Sequence, residues 1–308
     1  MEAQLAESRR KLLAARSHRQ RPRRDDKVLA GWNGLMIESL ARAAAVLDEP
    51  RYYDAAALAA DFLLTHLRDP QGRLLRSWRR GAARFPAYLE DYASLANALV
   101  SLYEARFEER RIDEATGLVD EILRQFVDAD SGGFFTTAVD HEPLVARKKD
   151  MIDGSLPSGG GLAVMALVRL GKLCGRGDYV AAAESALRAA VPIIQQSPTA
   201  MGQMLLALDL YLGPTPEVVV LGSADHTADR EVLAELHRRY VPNKVVAFRD
   251  GPQADGRRAA ALAGIFQGKR PIPPGPTVFV CEPFTCQAPV TGREAALSAL
   301  ESLARGPT

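Results

Sequence analysis

The chain has 308 residues, of which 47% are hydrophobic and 25% are charged, and its formal net charge is +1. A chain of this length forms one large domain or two ordinary ones and needs no metal or disulfide framework to fold. The nearly balanced charge gives no bulk attraction to nucleic acid or to an anionic membrane, so neither is expected as a partner. The sparse cysteines and the absence of a long apolar window in the sequence predict a cytoplasmic protein.

Apolar residues recur at helical spacing through the first two thirds of the chain. The spacing predicts helices over residues 3–18, 32–47, 51–67, 88–107, 112–127, 158–174, 178–195 and 198–211. Residues 73–86 are expected to be extended or to form a hairpin. Two helices joined by a short turn, followed by a longer connection, recur about every 60 residues, and this rhythm is typical of α/α toroids and other helical repeats.

The pattern changes after Gly213-Pro214, where β-branched runs begin. Strands are predicted over 217–222, 244–250 and 277–281, with helices over 227–240, 256–264 and 292–305 between and after them. Strands that alternate with helices indicate a small sheet of about three parallel strands. The chain is therefore expected to be mainly α, with a helical-hairpin domain over 1–213 and a small α/β segment over 214–308.

Five segments, taken in order, resemble the spermatogenesis-associated protein 20 family. They are DDKVLAGWNGLMIESLARAA (25–44), AYLEDYASLANALVSLYEA (87–105), DSGGFFTT (130–137), RKKDMIDGSLPSG (147–159) and VFVCEPFTCQAPV (278–290). The resemblance implies a thioredoxin-like domain joined to an α/α toroid of six-hairpin-glycosidase or N-acylglucosamine 2-epimerase type. This chain resembles only the C-terminal part, without the thioredoxin-like domain. It departs from the family at Gly160, where Asn is usual.

Asp26 and Lys27 precede Trp32 and Asn33 at the entry of a predicted helix. A carboxylate beside an indole suits a sugar, because the acid accepts hydroxyl protons while the ring covers the C–H face. An acid near a helix N-terminus also stabilises the helix dipole, so a purely structural role is the alternative.

Glu90, Asp91 and Tyr92 begin the helix predicted over 88–107. In α/α toroids the inner helices present their N-terminal ends to a central funnel, where carboxylates act as general acid or base. Capping of the helix is again the alternative interpretation.

The longest irregular connection of the helical part carries charged and hydroxyl side chains between glycines. Long ordered loops of this kind often have a function, so this one is expected to line a pocket.

The predicted catalytic carboxylates are Asp26, Glu90, Asp91 and Asp153. The predicted ligand-binding residues are Lys27, Trp32, Asn33, Tyr92, Arg147, Lys148, Asp150, Ser155 and Ser158, of which Ser158 is also a candidate N-cap for the next helix.

Cys281 and Cys286 are spaced C-x₄-C after the third predicted strand. The pair is a candidate redox site, although two partly buried thiols in a turn are the favoured interpretation. The scattered histidines predict no metal site, and the sequence contains no phosphate-loop or dinucleotide motif, so no cofactor is expected.

Two functions remain open at this stage. The first is a sugar-binding or sugar-modifying enzyme, or a degenerate relative of one. The second is a non-catalytic module that binds a ligand or works with a thioredoxin-like protein. A partial toroid exposes apolar helix faces, so the partner hypothesis includes self-association.

Overall fold

A computed structural model describes residues 1–142, 145–224, 226–250, 259–282 and 285–305. Its helical part is an open arc of an α/α toroid. The helices are α1 (Glu2–Ser17), α2 (Ala30–Leu47), α3 (Pro50–His66), α4 (Leu89–Arg106), α5 (Arg110–Gln125), α6 (Gly159–Cys174), α7 (Gly177–Gln196) and α8 (Gly202–Leu212). Within these residues, no helix is both long enough and apolar enough to cross a membrane.

Four helices form the inner layer of the arc, in the order α2, α4, α6 and α8. Helices α3, α5 and α7 form the outer layer, and each of them packs against the inner helix that precedes it. Both α4 and α6 are buried on nearly all sides, which explains why alanine, leucine and valine occupy half of their positions. The helices predicted from apolar spacing are thereby confirmed, with their ends shifted by a few residues.

The N-terminal ends of the inner helices lie side by side, and glycines permit this close approach. A Cβ atom on Gly34 of α2 would lie 2.8 Å from the backbone nitrogen of Leu95 in α4. A Cβ atom on Gly159 of α6 would lie 3.3 Å from the backbone nitrogen of Glu90. The chain therefore brings the starts of three inner helices together at one end of the arc.

A small antiparallel sheet lies beside this end. Its strands are β1 (Val28–Leu29), β2 (Leu75–Arg79) and β3 (Ala82–Pro86), in the order β1–β2–β3. Strands β2 and β3 form the hairpin that the sequence predicts for residues 73–86. Strand β1 was not predicted, because two residues are too short to show an alternating pattern.

The C-terminal segment contains a five-stranded sheet. Its elements are β4 (Glu217–Leu221), α9 (His226–Arg238), β5 (Val245–Arg249), α10 (Ala263–Phe266), β6 (Thr277–Glu282), β7 (Thr285–Cys286), β8 (Val290–Thr291) and α11 (Arg293–Arg305). Strands β4 and β5 are parallel, as predicted, whereas β6 is antiparallel to β4. The described part of the β5–β6 connection holds only a 3-10 turn and the four-residue α10, which is too little for the crossover helix of a parallel pair.

Alternate residues of β4 pack in opposite directions. Val219 and Leu221 belong to the hydrophobic core of the helical arc, whereas Val218 and Val220 pack against α9 and α11. The sheet thus lies between the arc and the last helices, as the period of two along a strand requires. Residues on both sides of position 213 therefore belong to one hydrophobic core, and the division into two domains remains a prediction.

Candidate functional site

A cleft of about 250 Å³ opens at the N-terminal ends of α2, α4 and α6. One wall is formed by α2 and α4, and the opposite wall by the loop between α5 and α6. Most of the charged groups in the cleft are carboxylates. The lining residues are Leu29, Gly31, Trp32, Leu35, Arg76, Glu90, Asp91, Ser94, Asp150, Ile152, Gly154, Ser155, Leu156, Pro157 and Leu162.

Glu90 and Asp91 meet at one guanidinium group in this cleft. Nη1 of Arg76 lies 2.9 Å from Oε1 of Glu90 and 3.0 Å from Oδ2 of Asp91. The same guanidinium stacks over the ring of Tyr88, with its carbon 4.6 Å from the ring centroid. Strand β2 thus supplies a cation that fixes two adjacent acids at the start of α4.

Asp91 is 2% exposed, yet its carboxylate is well satisfied. Its Oδ1 accepts a hydrogen bond from the backbone N–H of Gly31 at 2.8 Å, and its Oδ2 accepts one from the N–H of Tyr88 at 3.0 Å. Burial raises the pKa of Asp91, while Arg76 and the two backbone donors act against this rise. Asp91 therefore joins the start of α2 to the start of α4.

Trp32 is 60% exposed, and its indole faces the cleft from α2. Asn33, the next residue, donates its side-chain N–H to the carbonyl of Leu29 at 2.8 Å. The amide of Asn33 is thus used within its own turn, whereas the indole of Trp32 is free to meet a ligand.

Asp150 faces the acid pair from the loop before α6. Burial raises the pKa of Asp150, and the nearby carboxylates of Glu90 and Asp153 raise it further. The carbonyl of Asp150 accepts a hydrogen bond from the N–H of Gly160 at 3.1 Å, and a Cβ on Gly160 would lie 2.8 Å from that oxygen. An Asn at position 160, as in the family pattern, would require this loop to move.

Asp153 and Ser158 accept backbone N–H groups at the starts of helices α6 and α8. Asp153 accepts backbone N–H groups at both oxygens, from Ser158 at 2.8 Å and from Gln203 at 2.7 Å. Ser158 is the N-cap of α6, as predicted, and its hydroxyl accepts the N–H of Gly161 at 3.4 Å. Of the hydroxyls predicted in this loop, only that of Ser155 lines the cleft.

Arg147 and Lys148 anchor the loop from outside the cleft. The guanidinium of Arg147 stacks on Phe135 and donates to the carbonyl of Thr137 at 2.5 Å. Lys148 has an exposed side chain, and its carbonyl accepts the N–H of Thr136 at 2.8 Å. These contacts hold the start of the loop against the turn that follows α5.

The remaining predicted residues lie away from the cleft lining. Asp26 forms an ion pair with Arg79, and Lys27 lies 3.2 Å from Asp25. Tyr92 is buried, and its hydroxyl accepts the N–H of Leu74 at 3.0 Å. The structure thus gathers Trp32, Glu90, Asp91, Asp150 and Ser155 and leaves the others at its periphery. Catalytic and binding roles for all of them remain predictions.

The main residue that sequence reasoning missed is Arg76. It belongs to a run of arginines around Trp78, and the composition of this run does not show which arginine points inward. The alternation of β2 was the available signal, because Arg76 and Trp78 lie on the same face of that strand. Ser94 and Ile152 were also missed, and both are ordinary residues of a helix and a loop.

The two cysteines of the C-terminal segment are paired in the structure. Cys281 and Cys286 lie opposite each other on β6 and β7, their Cα atoms 4.0 Å apart, and a disulfide joins them. This differs from the favoured interpretation as free thiols, because the hairpin places them in register. Pro283 and Phe284 lie outside the described residues. A redox role for the pair remains a prediction.

One histidine lies close to two acids at the C-terminal edge of the sheet. Ligand atoms of His226, Asp229 and Asp250 lie within 4.8 Å of one another. The buried Asp229 accepts the N–H and the hydroxyl of Ser223 at the start of α9. These bonds tie Asp229, in the first turn of α9, to the loop that precedes the helix, and we assign no metal to the group.

Comparisons with known proteins agree with the motifs. No family model matches the chain. Spermatogenesis-associated protein 20 from Homo sapiens is 31% identical over 293 residues, which are 91% of this chain and 37% of that protein. The chain thus spans little more than a third of the length of the curated relatives that it matches.

Two solved structures are also similar to this chain. An α-mannanase of glycoside hydrolase family 76 from Bacteroides thetaiotaomicron is 12% identical, with a TM-score of 0.48 over 75% of this chain and 66% of that one. A cellobiose 2-epimerase from Spirochaeta thermophila is 16% identical, with a TM-score of 0.44 over 53% of this chain and 43% of that one.

Proposed function

We propose that this chain, which belongs to the spermatogenesis-associated protein 20 family, binds a carbohydrate in the cleft between α2, α4 and the α5–α6 loop. The observation that carries the proposal is the exposed indole of Trp32 beside the carboxylates of Glu90 and Asp150 in one cleft. An indole covers the apolar face of a sugar ring, and carboxylates accept its hydroxyl protons.

The size and polarity of the cleft support the same proposal. Its volume of about 250 Å³ lies just below the usual range of ligand pockets, which suits one sugar ring better than a large cofactor. Two of its three acids remain accessible, and the third is fixed by Arg76. The acids suit acid–base chemistry on a sugar, of the kind that glycoside hydrolases and sugar epimerases perform.

Titration with sugars tests the binding proposal. Isothermal titration of the full chain with mannose, mannobiose and cellobiose should show saturable binding to at least one of them. Trp32→Ala should weaken that binding by about 10- to 100-fold, since stacking on an aromatic platform and burial of its surface contribute about 1.5–3 kcal/mol. Leu58→Ala, an exposed apolar residue of the outer layer, is the matched control and should leave binding unchanged.

The full chain should unfold at the same temperature with either substitution, because both side chains are exposed. Absence of heat with all three sugars, together with no shift in their ligand-observed NMR signals, would remove the carbohydrate proposal.

A second function rests on a different surface. The two inner helices at the ends of the arc expose large apolar side chains, and a groove of about 670 Å³ lies between them. Val46 of α2, Leu206 of α8 and Tyr240 line the groove, and Met36, Leu47 and Leu212 are exposed on the same two helices. Patches of this kind mark protein interfaces. We propose that helices with an apolar face, supplied by a partner chain such as a thioredoxin-like protein or by a second copy, cover this groove.

Light scattering tests the second function. The purified chain should form dimers or larger species, and Val46→Lys together with Leu206→Lys should shift it to monomers without loss of helix content. A wild-type chain that is monomeric and does not bind the dye ANS would show that the groove needs no partner.

A further inference from the structure

We infer that Glu90 and Asp150 are the reacting acid–base pair of the cleft, and that Asp91 and Arg76 are positioning residues that do not react. The inference rests on the proposed carbohydrate function and adds to it the role of each carboxylate. It separates two neighbours in sequence, Glu90 and Asp91, which the sequence treats alike.

The contacts of Asp91 exclude it from proton transfer to a ligand. Its two oxygens accept hydrogen bonds from the N–H groups of Gly31 and Tyr88 and from the guanidinium of Arg76. These donors occupy both oxygens of Asp91 and fix the carboxylate in orientation, although burial still raises its pKa above the ordinary value. With 2% of its surface exposed, Asp91 offers a ligand in the cleft far less contact than Glu90 does.

Glu90 has the opposite properties. Its side chain is 28% exposed, and Arg76 holds it at one oxygen, 2.9 Å from Nη1. Glu90 also lines the cleft. The Arg76 contact restricts the rotamers of Glu90 and keeps a cation beside it, which places the group to act as a proton acceptor.

Asp150 supplies the second member of the pair from a different element. It faces Glu90 from the loop before α6, and no cation is among the groups that act on its titration. Burial and the charges of Glu90 and Asp153 raise the pKa of Asp150, while a hydrogen bond from the backbone of Gly159 acts against this rise. A carboxyl with a guanidinium beside it and a second carboxyl in the same cleft are the kind of unlike pair that acid–base catalysis uses.

The pair can supply both proton transfers that hydrolysis of a glycoside needs. Asp150 gives its proton to the departing sugar oxygen as the C–O bond breaks. Water attacks the anomeric carbon and gives its proton to Glu90, and solvent then returns one proton from Glu90 to Asp150. One water molecule is consumed, and Asp91 and Arg76 keep their charges throughout.

Carboxyl ¹³C NMR of the full chain tests the inference without any sugar. The pKa of Asp150 should fall towards its ordinary value in Glu90→Gln, because the neighbouring negative charge is removed. It should stay unchanged in Asp91→Asn, since Asp91 does not act on Asp150. In Arg76→Met the pKa of Asp91 should rise further, because Arg76 is the strongest of the groups that lower it.

Sugar binding and stability give the second readout. Glu90→Gln and Asp150→Asn should each weaken binding of the best sugar by about 10- to 100-fold, the value of one hydrogen bond to a charged group, with the unfolding temperature unchanged. Asp91→Asn should lower the unfolding temperature, and Arg76→Lys should restore most of what Arg76→Met loses. Asp130→Asn, on an exposed turn, is the control and should change neither quantity.

The outcomes separate the two proposals. If Asp91→Asn shifts the titration of Asp150 more than Glu90→Gln does, the assignment of roles is overturned even when a sugar binds. If the titrations follow the expectation and no sugar binds, the pair is correct and the carbohydrate function fails. The Glu90→Gln titration decides the inference alone if Asp91→Asn does not fold.

Discussion

Single side chains hold the loop that carries Asp150, and Asp128 is central among them. Its carboxylate accepts the N–H groups of Asp130 and Ser131 and lies 2.6 Å from the ammonium of Lys149. Lys149 also donates to the carbonyl of Gly132 at 2.5 Å. The turn after α5 is thereby tied to the residue next to Asp150, so the position of one cleft acid depends on an ion pair outside the cleft.

Low pH should weaken the ion pair between Asp128 and Lys149. Lys149 and Ser131 hold the pKa of Asp128 well below its ordinary value. A carboxyl with a lowered pKa in the folded state stabilises the protein above its unfolded pKa, and this contribution is lost as the pH falls further. We expect the stability of the wild type to drop below about pH 4, the ordinary pKa of aspartate, more steeply than that of Asp128→Asn.

Urea unfolding between pH 3 and pH 7 measures this difference. The two proteins should differ most at pH 7 and converge towards the acid end, while Asp130→Asn, in the same turn, should follow the wild type. A constant difference across the range would show that the carboxylate charge of Asp128 contributes nothing to stability.

Among the secondary-structure elements, the crossing of α2 and α4 determines the geometry of the cleft. Gly31 and Gly34 lie on the face of α2 that contacts α4, with Ile37, Ala41 and Ala44 continuing the same face. A Cβ on Gly34 would lie 2.8 Å from main-chain atoms of both Ser94 and Leu95, which have no freedom to rotate away. The small residues therefore set how closely Trp32 approaches the start of α4.

Gly34→Ala should destabilise the protein by about 1–3 kcal/mol, because the added methyl group overpacks a main-chain contact. Gly117→Ala is the matched control on α5, where nothing lies within 4 Å of the added Cβ. That substitution should stabilise the protein by about 0.5–1 kcal/mol, as expected for a mid-helix glycine. Urea denaturation measures both changes, and equal effects would show that the close contact does not limit packing.

The success of sequence reasoning differed between these elements for physical reasons. Apolar spacing predicted the helices of the arc and the β2–β3 hairpin, because burial on one or two faces leaves a periodic pattern. The antiparallel direction of β6 could not be predicted, since strand direction depends on the connection and not on composition. For the cleft, Trp32 and Glu90 were found from local motifs. The role of Arg76 depended on the fold, which brings residues 15 positions apart in sequence into contact.

At the scale of the whole molecule, the sheet and the helical arc are joined by polar as well as apolar contacts. Phe107, at the end of α4, packs against Phe248 of β5, with ring centroids 5.3 Å apart. Glu109, just before α5, accepts two N–H groups of Arg249 at 2.9 and 3.0 Å and the N–H of Ala259 at 2.6 Å. Residues on both sides of position 213 therefore share a core and an ion pair.

We expect the arc and the sheet to unfold together, because neither part buries its side of the shared core alone. Fluorescence of Trp32 and Trp78 reports on the arc, and hydrogen exchange of the β4 amides reports on the sheet. The two probes should give coincident urea transitions.

Glu109→Gln should lower the free energy of unfolding by about 1.5–3 kcal/mol, since it removes the charge partner of the half-buried Arg249. Glu235→Gln, which breaks a local pair with Arg239, should cost no more than about 0.5 kcal/mol. Two separate transitions in the wild type would show that the C-terminal segment is an independent folding unit, and in that case Glu109→Gln should affect the sheet transition alone.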